Sequence, residues 1–75
     1  MELFNVVQFF PDDQYEYVRR NVSAEEAAKA VAHYTISVGA KLGFTRRVIV
    51  TDMGDNICFE WQFGKGVVFP VRENR

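Results

Sequence analysis

Apolar positions change their spacing along this chain, and each change marks an element. Residues 3–10, LFNVVQFF, form a β-branched and aromatic run that stops at Pro11-Asp12-Asp13. Proline presets φ for a turn and aspartate side chains bond nearby backbone, so a turn follows the run. Residues 15–22, YEYVRRNV, alternate apolar and polar with a period of two. Together the runs predict an antiparallel hairpin. With Phe10 opposite Tyr15, one face carries Leu3, Val7, Phe9, Val18 and Val22, and this face suits a helix. The other face carries Phe4, Val6, Phe10, Tyr15 and Tyr17, with Gln8, Arg19 and Asn21.

From Ser23 the spacing becomes helical. Ser23 as N-cap and Glu26 three residues on make a capping box. Ala24, Ala28, Val31, Thr35, Val38 and Leu42 fall on one stripe, widened by Ala27 and Tyr34. Glu26, Lys29, His33, Ser37 and Ala40 take the opposite side, and Gly43 ends the segment. The expectation is one continuous helix about 28 Å long.

Two more strands follow, at residues 46–52 and 57–63. In the second, Ile57, Phe59, Trp61 and Phe63 alternate with Cys58, Glu60 and Gln62. A two-residue turn at Gly54-Asp55 sets Val50 opposite Phe59 and Val48 opposite Trp61, so the apolar sets agree. A one-residue slip would place the valines behind Glu60 and Gln62. Residues 67–71, VVFPV, are a candidate fifth strand at the sheet edge, where Pro70 is tolerated. The order ββαββ predicts a single domain over residues 1–75, of the α+β class. It has one antiparallel sheet of four strands, five if the last run pairs, with one helix on one face.

Composition narrows the function. The 75 residues are 48% hydrophobic and 25% charged, which suits a globular domain. The formal net charge of −1 gives no basic excess, so nucleic acid is not favoured as a partner. No apolar run approaches the roughly 18 residues of a membrane span. A single cysteine and no signal-like segment point to the cytoplasm.

Candidate chemistry has structural explanations. Asp52, Asp55 and Asn56 supply too few spaced oxygens for a calcium loop, and a strand rather than a helix follows, which argues against a phosphate loop. Asp12–Asp13 reads as turn chemistry and Glu25–Glu26 as helix-start chemistry. His33 and Cys58 are expected on opposite sides of the sheet, so they form no dyad. No catalytic residue, metal or cofactor is expected.

The expected site is the sheet face away from the helix. Phe4, Val6, Phe10, Tyr15, Tyr17 and Ile49 gather there, with Cys58 beside Ile49, where a half-solvated sheet should be polar. Such a surface reads as a non-enzymatic protein-interaction face. A homodimer is the simplest partner, because a sheet with one helix has a thin core. Arg19 and Glu60 would sit at its rim. An alternative is a nucleotide or metabolite stacked on Tyr15 and Tyr17, with Arg19 and Glu60 as contacts. A third reading has the C-terminal tail fold over the face.

Residues 47–70, RVIVTDMGDNICFEWQFGKGVVFP, resemble the C-terminal part of small uncharacterised ββαββ proteins of proteobacteria and their phages. Those proteins share the strand, the Gly-Asp turn, the F-E-W strand and a G-x-G-V-V-F-P ending. The hairpin, SAEEAAKAV and helix before it are similar to the same plan. The resemblance implies no catalytic residues. It does imply a possible host-protein partner, with this chain inhibiting a host defence protein by direct binding.

Overall fold

The computed structural model describes residues 2–70. The elements are β1 (Phe4–Phe9), β2 (Tyr15–Val22), α1 (Ala24–Ile36), α2 (Val38–Lys41), β3 (Arg47–Asp52), β4 (Ile57–Gln62) and β5 (Gly66–Phe69). All five strands form one antiparallel sheet in the order β2-β1-β3-β4-β5, with the helical layer on one face. The fold is α+β in ββαββ order, with β5 as the added edge strand. Residues 71–75, which include the end of the expected VVFPV strand, lie outside the described residues.

Both long hairpins close with the same device. In the first, the Phe10 N–H donates to Gln14 O at 2.8 Å and the Asp13 N–H to Phe10 O at 3.2 Å. In the second, the Asp52 N–H donates to Asn56 O at 3.0 Å and the Asp55 N–H to Asp52 O at 3.1 Å. Each is a three-residue loop whose last residue, Asp13 at φ 66° or Asp55 at φ 63°, is left-handed. Aspartate tolerates that conformation better than most side chains.

The three-residue loop corrects the expected first hairpin. Phe9, not Phe10, stands opposite Tyr15, with Val7 opposite Tyr17. A one-residue slip turns every side chain of β1 to the other face. Phe4 and Val6 therefore face the helix, while Val7 and Phe9 lie on the outer face with Tyr15 and Tyr17. Register shifts between Phe4 and Val7 bring Val18 and Val22 of β2 back to the helix side, as expected. In the second hairpin Val50 faces Phe59 and Val48 faces Trp61, also as expected. The extra residue is absorbed by a shift between Val50 and Thr51, so the expected two-residue turn is a three-residue one.

The expected continuous helix is two. Ser23 caps α1, its Oγ accepting the Glu26 N–H at 3.2 Å. Ser37 repeats this mid-chain: its backbone is extended (φ −66°, ψ 164°) and its Oγ accepts the Ala40 N–H at 3.2 Å. The segment Thr35-Ile36-Ser37-Val38-Gly39 is a run of poor helix formers. Thr35 Oγ1 also donates back to Val31 O at 2.8 Å, a bond that bends helices. The break redirects the chain. Ala40, expected to be polar-side, is buried, while Val38 and Leu42, expected in the core, are 73% and 66% exposed.

The core is correspondingly thin. Val6, Val48 and Val50 of the sheet meet Ala27 and Ala30 of α1, with Val18, Val22, Val31 and Tyr34 around them. Alanines at the contact let the helix sit close to the strands. At one end the buried Gln8 is satisfied by Thr45, whose Oγ1 donates to Gln8 Oε1 at 2.6 Å.

Candidate functional site

The outer face holds a row of rings and charges rather than an open apolar patch. Phe9 and Tyr15 lie 5.6 Å apart between ring centroids, and Tyr15 and Tyr17 6.1 Å apart. Arg20 stacks over Tyr17 at 4.1 Å and Arg47 over Phe9 at 4.8 Å. Arg47 Nε then donates to Glu60 Oε2 at 2.6 Å, and Gln62 Nε2 donates to the same oxygen at 2.8 Å. In the middle, Val7 and Ile49 pair directly and are only 3% and 7% exposed. The centre of this face is therefore already covered within the chain.

The expected site residues are thus divided. Tyr15, Tyr17, Ile49 and Glu60 stand on the outer face, but Glu60 is central and ion-paired rather than at a rim. Phe4 and Val6 belong to the helix side, and Val6 is fully buried in the core. Phe10 lies beyond the end of β1, in a cleft at the sheet end. Arg19 is opposite Val6 at the register shift and donates to Val18 O, so Arg20 takes the ring-stacking role. Cys58 is exposed, its Sγ donating to Asn56 O at 3.6 Å, and His33 is exposed on the helix against Tyr34. Cys58 is the unpaired residue at the register shift between β3 and β4, and His33 lies on α1.

The open apolar surface lies on the helix side. α1 packs over β1, β2 and β3, leaving β4 to the side. Between α1 and β4 runs a groove of about 330 Å³ whose eight lining residues are all apolar. Ala24, Ala28 and Ala32 form one wall at four-residue spacing, and Phe4, Val50 and Phe59 form the floor and far wall. Elsewhere in the helical layer and the loop after it, Ile36, Val38, Leu42 and Phe44 remain exposed. The sequence pattern did not show this surface, because it took residues 24–42 as one continuous helix across the sheet.

A second, polar cleft of about 500 Å³ opens at the end of the sheet, lined by residues from the first turn, β3 and the β4–β5 turn. Its cations Arg46, Arg47 and Lys65 were not singled out as a site from the sequence, although the adjacent arginines at a strand start were visible as a pair.

The acidic turn is occupied by its own backbone. Asp52 Oδ1 accepts N–H bonds from Gly54 at 2.9 Å and Asn56 at 3.0 Å. The Asn56 backbone bond is the main reason the Asp52 carboxyl is held below the usual aspartate range. The bond from Arg47 does the same for Glu60, outweighing the opposing effect of burial, and the Gln62 bond adds a smaller contribution. A carboxyl whose pKa falls on folding stabilises above its unfolded pKa, and that contribution is lost as pH falls through the folded value. Thermal stability is therefore expected to drop on acidification from about pH 5 to about pH 3. Glu60→Gln should be less stable than the parent at neutral pH, with the gap closing across that window; a constant gap in melts at both pH values would contradict the pairing.

Among the described residues, no group of three or more His, Cys, Asp or Glu side chains is placed to share a metal ion, and no helix is long and apolar enough to cross a membrane. No protein-family model matches the chain, and no curated protein or solved structure does. The fold places it in the α+β class, as a five-stranded antiparallel sheet under one off-centre helical layer.

Proposed function

We propose that this chain is a non-enzymatic protein-binding module that pairs with a second copy of itself across the helix side of the sheet. The groove between α1 and β4 carries this reading, because it leaves the core open along one side of the helix. Three considerations favour a copy of the chain as occupant. First, the fully buried apolar set is small and includes three alanines, Ala27, Ala30 and Ala40, so a second core layer adds much to it. Second, the uncovered area suits a dimer. At about 150 Å² per large apolar side chain, the four exposed residues of the helical layer and the loop after it leave on the order of 400 Å² open. The groove walls add to this, which puts the patch at the lower end of specific interfaces, short of the roughly 800 Å² per partner of a standard one. Third, the sheet edges are poor alternatives. β2 is interrupted by register shifts, a left-handed Asn21 (φ 55°) and Arg19–Arg20, and the four-residue β5 is followed by Pro70. Such features blunt edge pairing.

In this arrangement the alanine ridge of one α1 lies against its two-fold mate, and the same patch serves both subunits. The expected result of an NMR dilution series is concentration-dependent shifts at Ala28, Ala32, Leu42 and Phe59. Shifts confined to Tyr15, Tyr17 and Phe9 would move the interface to the outer face and overturn this reading.

A further inference from the structure

The cleft at the sheet end is a separate feature, and its chemistry differs from that of the groove. Three backbone segments are tied there: the Arg46 N–H donates to Phe9 O at 2.8 Å, and the Phe63 N–H donates to Arg46 O at 2.9 Å. Arg46 and Arg47 are adjacent at the start of β3, both line the cleft, and each is braced by a ring. Arg46 stacks over Phe63 at 5.0 Å and Arg47 over Phe9 at 4.8 Å. A guanidinium stacked on its flat face keeps its N–H edges available for an anion. Lys65 in the following turn adds an ammonium. Among the described residues Arg46 and Lys65 have no carboxylate within ion-pair distance, and Arg47 is engaged only through its Nε. Asp13 is the one acid lining the cleft. The lining therefore keeps a positive excess in a chain whose net charge is −1.

We infer that this cleft binds a small organic phosphate carrying a flat ring, of the nucleoside monophosphate class. A phosphate monoester carries about −1.5 to −2 charges at neutral pH and is attracted by the net positive charge that remains once Asp13 and the Glu60 pair are counted against Arg46, Arg47 and Lys65. Phe10, Pro11 and Phe63 supply apolar walls for the ring. The volume, about 500 Å³, falls in the range of roughly 300–1,000 Å³ usual for such ligands.

The test is a titration of the full chain, followed by amide NMR, with each of the four ribonucleoside monophosphates. Adenosine, inorganic phosphate and a 5′-phosphorylated oligonucleotide serve as comparisons. At least one monophosphate is expected to shift Phe10, Arg46, Phe63 and Lys65. It should bind at least tenfold more tightly than adenosine or inorganic phosphate. Lys65→Gln, in an exposed turn, should weaken it several-fold without changing the melting temperature of the free chain, and Arg46→Gln should weaken it further. No saturable shift with any monophosphate overturns the inference, as does affinity indifferent to both substitutions. Inorganic phosphate binding as tightly as the nucleotides overturns the ring recognition, and tighter binding of the oligonucleotide replaces a small ligand with a nucleic acid. None of these outcomes bears on self-association through the groove.

Discussion

Val6→Asp leaves the chain unfolded in circular dichroism at room temperature, whereas Tyr15→Glu melts close to the parent. Val6 is fully buried beneath α1, among Val48, Val50, Ala27 and Ala30. The substitution removes about 1.5–3 kcal/mol of apolar burial and leaves a carboxylate without a partner, at about 3 kcal/mol or more. A domain of this size holds only about 4–11 kcal/mol in total. Tyr15, by contrast, is 60% exposed on an edge strand, and its loss removes ring contacts worth about 1 kcal/mol. The register read from the sequence would place Val6 and Tyr15 on the same face, and equal sensitivity of the two variants would support it instead.

Ala40→Asp destabilises the chain by about 3 kcal/mol or more, while Val38→Asp leaves the monomer's stability nearly unchanged and weakens self-association. Ala40 is 1% exposed behind the Ser37 break, so the aspartate enters the interior without a partner. Val38 starts α2 in solvent, where an acidic side chain also suits the helix start. A straight helix over Ala24 to Leu42 predicts the reverse order. Urea denaturation of the two variants side by side decides between them.

These two tests fall where the sequence was hardest to read. The class and order of elements were legible from the change of period at Ser23 and from the alternation in residues 57–63. The pairing of Val48 with Trp61 was legible because only one register joins apolar to apolar. In the first hairpin both faces of β1 are apolar, so Phe4 and Val6 compete on equal terms with Val7 and Phe9. The loop geometry decided the register there, through a left-handed Asp13. The helix break rests on the Ser37 cap, the Thr35 back-bond and the poor helix formers around them, and hydrophobic periodicity carries no record of these. Both misreadings moved the site: the expected outer patch lost Phe4 and Val6 to the core, and the exposed apolar surface lies beside α1.

Sedimentation equilibrium of the parent chain, Ala28→Glu and Tyr15→Glu over a wide concentration range decides whether the chain pairs through the groove beside α1. Ala28 is exposed on the groove wall, and glutamate is a good helix former, so this variant should fold normally. The parent is expected at twice the 8.7 kDa chain mass, Ala28→Glu at the monomer mass and Tyr15→Glu at the dimer mass. A parent that stays at the single-chain mass throughout, or a dimer broken by Tyr15→Glu and untouched by Ala28→Glu, would contradict that pairing.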